Sequence, residues 1–229
     1  MYAVNTNFAK KTSVMGVEIR FPLTRLEIAE MFGTDLARFP ATFEEYWEIV
    51  KEAEYTADFY QNEIIIPMSY ESNNHSKMAV EISFLLKGFF RSSREYEVHN
   101  SDRLLYFPDC KEDGAVFNPD ASVIRLPRQP FEYQKGFDAE TTPEIILEIL
   151  SHSTQHYDYA IKLPCYKKHP TVQQVIFISS LYIFATVWSR QGDTNLWINT
   201  DYDQADDTFL IYQQAVRLGD LYTDVDLGE

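Results

Sequence analysis

Three carboxylates and one lysine in the middle of the chain have the types and spacing of a chemical site. Asp120 opens one apolar run, and Glu148 lies inside a second, Ile145–Leu150. Asp158 and Lys162 follow at a spacing of four residues, which places two side chains on one face of a helix. Acids on neighbouring strands, with a lysine one segment later, could bind a hard divalent cation and polarise a phosphodiester.

Each of these residues also has an ordinary structural explanation. Asp120 could cap a turn, and Lys162 could form a surface ion pair with Asp158. Glu148 is harder to explain in this way, because a carboxylate in a buried apolar strand is costly without a partner. Tyr166, four residues after Lys162, is expected in the core rather than in catalysis. Taken together, the residues favour a site.

The order of helices and strands along the chain indicates the fold that positions these residues. Capping boxes at Thr24 and Thr42 predict two short helices, and apolar spacing after His75 predicts a longer amphipathic helix. Apolar and β-branched runs predict strands at residues 59–68, 96–98, 103–107, 121–124, 145–150, 172–179, 183–189, 196–199 and 208–212. The last four are expected to be antiparallel, and residues 126–143 to form a long loop. This order indicates a mixed α/β fold.

Pro164 interrupts the helix expected from Asp158 to about Lys168. Because proline lacks a backbone N–H, it kinks or restarts a helix. We nevertheless expect the ammonium of Lys162 to point towards Asp120 and Glu148 rather than into solvent.

Length and composition predict one globular domain with an N-terminal extension. The chain has 229 residues, of which 45% are hydrophobic. We divide it into an extension with a short helix, residues 1–40, and a single α/β domain, residues 41–229. Cys110 and Cys165 fit no zinc spacing and are too few for a disulfide framework, which suggests a reducing, cytoplasmic compartment. We expect no secretory signal, and we expect the longest apolar tract, Val175–Trp188, to be too short and polar to span a membrane.

The charge of the chain argues against general affinity for nucleic acid. The formal net charge is −15 and the isoelectric point is about 4.7. A phosphate backbone repels such a surface, so contact with DNA would need local basic patches. The candidate patches are Arg91 with Arg94, Arg125 with Arg128, and Lys167, Lys168 and His169.

The Pro-Asp pair ending at Asp120, with Glu148 and Lys162, resembles the PD-(D/E)XK nuclease superfamily. More specifically, it resembles a large group of restriction-endonuclease-like proteins abundant in cyanobacteria. The resemblance extends over about residues 43–212. The position two residues after the second acid, usually lysine, is Leu150 here. In the resembled group the lysine lies in the following helix, which identifies Lys162. A long flexible ammonium can reach the same point in space from a neighbouring element.

The resemblance implies a fold and a set of roles. The fold would be a restriction-endonuclease-like mixed central β-sheet flanked by helices, with additional C-terminal antiparallel strands. Asp120 and Glu148 would bind Mg²⁺, or Mn²⁺ in its place, and Lys162 would orient water or stabilise developing negative charge. The additional candidates for the site are Asp58, His75, Glu81 and Asp158.

The function implied is a Mg²⁺-dependent endonuclease that hydrolyses phosphodiester bonds of DNA. Two alternatives remain open. One is a nuclease-fold module that binds nucleic acid or a protein partner without cleavage, and the other is a phosphodiesterase acting on a small molecule. A homodimer is expected because restriction-like nucleases commonly pair to cut two strands, and no association with membranes is expected.

Overall fold

The computed structural model describes residues 10–14, 17–21, 24–33, 36–68 and 72–227, with side chains from residue 24 onwards. The strands are β1 (Lys10–Val14), β2 (Val17–Phe21), β3 (Leu36–Pro40), β4 (Asp58–Tyr60), β5 (Glu63–Pro67), β6 (Tyr96–Asn100), β7 (Leu105–Phe107), β8 (Ala115–Phe117), β9 (Ala121–Arg125), β10 (Phe131–Gln134), β11 (Phe137–Ala139), β12 (Pro143–Leu150), β13 (Gln174–Ser179), β14 (Ala185–Arg190), β15 (Trp197–Tyr202), β16 (Thr208–Ile211) and β17 (Gln214–Arg217).

The helices are α1 (Arg25–Phe32), α2 (Phe43–Glu52), α3 (Asn73–Phe90), α4 (Gln155–Tyr157) and α5 (Leu163–Lys168). A π-helical turn, Asp158–Lys162, joins α4 to α5, and a 3₁₀ helix spans Leu218–Tyr222. Both capping boxes are present, so the predicted starts of α1 and α2 are confirmed.

A six-stranded mixed sheet forms the centre of the molecule, in the order β15-β14-β13-β12-β9-β6. Strands β12 and β13 are parallel, and the other neighbours are antiparallel. The predicted antiparallel pairing is confirmed for β13, β14 and β15. The parallel pairing of β13 with β12, after the crossover through α4 and α5, was not predicted. A crossover connection of this kind is what parallel pairing requires.

A second, five-stranded antiparallel sheet has the order β3-β5-β4-β8-β7. The strand predicted over residues 59–68 is instead the hairpin β4–β5. Its turn consists of Gln61 and Asn62, with φ of 50° and 59°. Positive φ at both central residues matches the twist of a tight hairpin, and asparagine tolerates it. The loop expected at residues 126–143 likewise contains the hairpin β10–β11.

Across the described ranges, three hydrophobic clusters form the core, and two of them pack around the strands that carry the candidate site. One packs α3 against the six-stranded sheet through residues such as Met78, Ile82 and Leu147. Another joins the two sheets and α5, with Phe117 and Phe177 in its interior. The third cluster packs α1, α2 and the hairpin β10–β11 onto the five-stranded sheet. The site described below lies where the two sheets meet.

This architecture confirms the predicted mixed α/β class, including the additional antiparallel strands near the C-terminus. The proposed boundary at residue 40 stays a prediction, and residues 1–9 of the extension lie outside the described residues. Within the extension, β3 pairs with β5, and Ile28 of α1 is buried in the core. Among the residues that the structure describes, no helix combines the length and apolarity needed to cross a membrane.

The structure differs from the sequence analysis at the two cysteines. Cys110 and Cys165 form a disulfide bond between the turn after β7 and α5, with Cα atoms 5.2 Å apart. They are separated by 55 residues in the chain. This bond could not be expected from the sequence, because only the packing of α5 against the β7–β8 hairpin brings the two residues together.

Candidate active site

Asp120 directly precedes β9, and Glu148 lies in the neighbouring strand β12 of the six-stranded sheet. Ala121 of β9 is opposite Leu147 of β12. Continuing this antiparallel register by one residue places Asp120 opposite Glu148. Oδ2 of Asp120 accepts a hydrogen bond from the backbone N–H of Ile149 at 2.6 Å. Both carboxylates line one cleft, with a volume of about 840 Å³.

The ammonium of Lys162 lies among three buried carboxylates. Nζ is 3.1 Å from Oε1 of Glu148, 3.3 Å from Oδ1 of Asp158 and 3.8 Å from Oδ2 of Asp58. Lys162 is only 5% exposed. The structure thus places Lys162 beside Glu148 and not on the surface with Asp158 alone.

The π-helical turn explains how Lys162 reaches this position despite Pro164. The backbone N–H of Leu163 donates to the carbonyl of Asp158, five residues earlier. The wider turn directs Asp158 and Lys162 to the same buried side. Pro164 falls in the first turn of α5, where a missing N–H is tolerated. Turns of this kind occur frequently at functional sites.

Two buried tyrosines hold the carboxylates in place. The hydroxyl of Tyr166 donates to Oε1 of Glu148 at 2.6 Å, and that of Tyr157 donates to Oδ2 of Asp58 at 3.0 Å. The backbone N–H of Asn118 donates to the other oxygen of Asp58 at 2.8 Å. Tyr166 was expected in the core, where it is buried, but its hydrogen bond to Glu148 and the role of Tyr157 were not predicted. The spacing of four from Lys162 to Tyr166 was the available signal, since it places both side chains on one helix face.

His75 and Glu81 were both candidates on α3, and the structure separates them. Nε2 of His75, in the first turn of the helix, is 3.3 Å from Oδ1 of Asp120. Glu81 does not line the cleft. Glu81 follows His75 by six residues, which is about 600° of rotation at 3.6 residues per turn, or about 240° beyond one full turn. The two side chains therefore face different sides of α3.

Burial dominates the electrostatics of the cluster. It raises the pKa of Glu148 well above the ordinary value, against the opposing effect of Lys162. It also raises the pKa values of Asp58 and Asp158. Burial alone would lower the pKa of Lys162, but the surrounding carboxylates, Glu148 foremost, raise it well above its usual value. Lys162 therefore stays charged at neutral pH, while the carboxylates hold protons more readily than exposed acids do.

The walls of the cleft are rich in hydroxyl groups and poor in positive charge. Serine and threonine side chains line it at residues 56, 72, 76, 101, 151, 153, 154 and 180. Within the described residues, its basic side chains other than histidine are Arg25 and Lys162, whereas its acidic ones are Asp58, Asp102, Asp120, Glu148 and Asp158. A phosphate entering the cleft would therefore meet net negative charge.

The basic patches expected from the sequence lie elsewhere. Arg125 pairs with buried Glu144 at 3.7 Å, and Arg128 pairs with Glu140. Nζ of Lys167 lies 4.0 Å from the centre of the Trp188 ring. These patches do not line the cleft.

The oxygen donors of the cleft suit magnesium. In the described part of the chain, no group of three or more His, Cys, Asp or Glu side chains is arranged to hold a metal ion by itself. Mg²⁺ does not need such a cage, because it keeps several waters and binds proteins through one or two carboxylates. Asp120 and Glu148 supply two carboxylates on one wall of a cleft, which fits this requirement.

Among the proteins similar to this chain are two relatives and one solved structure. Two uncharacterised proteins of Synechocystis sp. (strain ATCC 27184 / PCC 6803 / Kazusa) are 29% and 26% identical to it over 160 and 163 residues. These alignments cover 70% and 71% of this chain, and 86% and 80% of the relatives. The crystal structure of a "putative nuclease belonging to DUF820" from Anabaena variabilis ATCC 29413 has a TM-score of 0.64 and 20% identity. It matches 80% of this chain and 98% of its own length, and at this identity it shows the fold alone.

The family comparison covers most of the chain and includes the site. Residues 43–216 match the model of Uma2, described as "Putative restriction endonuclease". The matched range contains five of the acidic and basic residues that line the cleft, Asp58, Asp120, Glu148, Asp158 and Lys162. The resemblance inferred from the sequence is thereby confirmed, and the protein belongs to the Uma2 family of restriction-endonuclease-like proteins.

Proposed function

We propose that this protein is a divalent-metal-dependent endonuclease that hydrolyses phosphodiester bonds in DNA. The observation that carries the proposal is the convergence of Asp120, Glu148 and Lys162 on one cleft in a chain of the Uma2 family. Two carboxylates on neighbouring strands and a buried ammonium are the groups that this hydrolysis needs.

Each residue of the site has a separate role in the proposed hydrolysis. Asp120 and Glu148 would hold Mg²⁺, or Mn²⁺ in its place. When bound, such an ion lowers the pKa of a ligated water and neutralises charge on the phosphate. Lys162 donates hydrogen bonds to the phosphate oxygens where negative charge develops. Tyr166 fixes the orientation of Glu148 through its 2.6 Å hydrogen bond. His75 lies against Asp120 and restrains that carboxylate from the other side.

Nicking of supercoiled plasmid in Mg²⁺ or Mn²⁺ tests the proposal. The variants Asp120→Asn and Glu148→Gln keep the shape and one acceptor oxygen of each side chain but remove the negative charge. We expect both to fold, as judged by circular dichroism, and to lose nicking. Lys168→Met, on the exposed side of α5, serves as the charge control and should nick like the wild type. Nicking that persists in Glu148→Gln would contradict the assignment.

The charge of the cleft favours one second candidate, a phosphodiesterase acting on a small molecule. Net negative charge on the walls and a net charge of −15 on the chain repel the long polyanion of duplex DNA more than a single diester. Hydrolysis of bis(p-nitrophenyl) phosphate without plasmid nicking would support this candidate. Activity on both substrates would favour the endonuclease.

A homodimer and a cytoplasmic location belong to the same proposal. Two copies of the site would be needed to cut both strands in one encounter, and light scattering of purified protein tests that state. The redox state of the Cys110–Cys165 pair in freshly lysed cells, trapped with a thiol-blocking reagent, tests the compartment.

A further inference from the structure

Lys162 occupies the position that a cation would take among the acids of the site. Its ammonium is within 3.8 Å of three carboxylates, those of Asp58, Glu148 and Asp158. All three acids are at most 3% exposed. One of them, Glu148, is also a proposed ligand of the divalent ion. The lysine and the ion therefore share a ligand.

We propose that Lys162 is an internal counter-ion that competes with the divalent metal for Glu148 and so lowers the metal affinity of the site. This inference rests on the proposed function only in assigning Asp120 and Glu148 to the metal. Metal binding would draw Glu148 away from the ammonium. Lys162 would then be free to face the phosphate, which couples the loading of the metal to the availability of the lysine.

The neighbours of Lys162 can still neutralise its charge when Glu148 binds the metal. When Glu148 turns to a metal ion, Asp158 at 3.3 Å and Asp58 at 3.8 Å still neutralise the ammonium. The ring of Tyr157 lies 5.4 Å from Nζ and supports the charge from another side. The lysine thus keeps partners in both states, and no buried charge is left alone.

A purely structural role for Lys162 predicts a different effect of its removal on metal affinity. If Lys162 only stabilised the fold, its removal would weaken the site and its affinity for metal along with the stability of the protein. As a competitor, its removal leaves the carboxylates with uncompensated negative charge, which attracts a divalent cation more strongly.

The test is a calorimetric titration with Mn²⁺ alone, without DNA. We expect Lys162→Met to bind Mn²⁺ about tenfold or more tightly than the wild type, because a unit charge 3.1 Å from the shared ligand Glu148 is removed. Lys162→Arg keeps the charge and should stay near the wild type. Lys168→Met removes one exposed positive charge from the neighbouring α5 and should change the affinity little. Equal or weaker binding by Lys162→Met would overturn the proposal.

Thermal melts in EDTA and in Mn²⁺ extend the test to variants of low stability. Lys162→Met should melt lower than the wild type in EDTA and gain more from Mn²⁺. The double variant Lys162→Met/Asp158→Asn carries one buried negative charge fewer and should fold in EDTA while keeping the larger Mn²⁺ gain. Failure of both variants to fold in either buffer would show that Lys162 is needed for folding, and would overturn the proposal.

The outcomes separate this inference from the proposed function. Binding of Mn²⁺ that is lost in Asp120→Asn, without a gain in Lys162→Met, contradicts only the competition. A gain in Lys162→Met without plasmid nicking by the wild type contradicts only the endonuclease. Absence of Mn²⁺ binding in the wild type and in Lys162→Met contradicts both.

Discussion

The hydroxyl of Tyr166 donates to Oε1 of Glu148 at 2.6 Å in a fully buried part of the site. Tyr166→Phe removes this donor without creating a cavity. Hydrogen bonds to charged groups stabilise proteins by about 1.5–3 kcal/mol, so we expect a loss of about 2 kcal/mol in the free energy of unfolding. Urea denaturation measures it. Tyr182→Phe, at a side chain 54% exposed, is the control and should change stability by less than about 0.5 kcal/mol. An equal loss in both variants would contradict this assignment.

His169, which does not line the cleft, should make the free energy of unfolding depend on pH. Burial lowers its pKa from 6.5 to about 4. The unfolded chain therefore binds a proton between these values while the folded protein does not. The contribution of neutral His169 to the free energy of unfolding is therefore fully present above about pH 6.5 and is lost as the pH falls towards 4. A pKa shift of this size changes the free energy of unfolding by about 3 kcal/mol.

His169→Gln should therefore flatten the decline of stability between pH 6.5 and 4, as measured by urea denaturation at a series of pH values. The exposed His156→Gln is the matched control and should keep the wild-type slope. A wild-type slope in His169→Gln would show that another group is responsible for the decline.

At the residue scale, the positions of Asp120, Glu148 and Lys162 could be predicted, because each lies in an informative local pattern. The hydrogen bonds of the two tyrosines could not be predicted, since they depend on how α4, the π-helical turn and α5 pack over the sheet. Glu81 does not line the cleft, and the sequence alone does not show which side of α3 faces it.

At the scale of elements, the disulfide links the turn after β7 to α5, which carries Tyr166. Closing a loop of 55 residues restricts the unfolded chain and stabilises the protein by on the order of 4 kcal/mol in the chain-entropy model. We therefore expect dithiothreitol to lower the melting temperature. The double variant Cys110→Ala/Cys165→Ala should melt lower than the oxidised protein and should not respond to dithiothreitol. An unchanged melting temperature of the wild type in reductant would contradict this expectation.

Local patterns predicted the helices well, since capping boxes and apolar spacing are encoded within a few residues. They predicted strand pairing less well. The turn at Gln61 and Asn62 was missed because the apolar run continues on both sides of it. The parallel pairing of β12 with β13 was missed because pairing across a crossover depends on tertiary packing.

At the scale of the whole molecule, we expect the net charge to limit the affinity of the protein for DNA. With a net charge of −15 and few basic side chains in the cleft, the protein should bind duplex DNA weakly in EDTA, with a Kd above about 10⁻⁴ M. Adding Ca²⁺, which neutralises the carboxylates, should strengthen binding. Fluorescence anisotropy measures both states. Glu148→Gln should lose most of the Ca²⁺-dependent gain, whereas tight binding in EDTA with a steep salt dependence would indicate a basic surface outside the cleft.

The most direct test of the metal site is a crystal structure of the protein soaked in Mn²⁺, with anomalous diffraction to locate the ion. We expect an anomalous peak bound by one oxygen of Asp120 and one of Glu148, with ligand distances of about 2.0–2.4 Å. We also expect Nζ of Lys162 to lie further from Glu148 than the 3.1 Å seen here. A structure in which Mn²⁺ binds elsewhere, while Lys162 keeps its contact with Glu148, would rule out both the metal site and the competition.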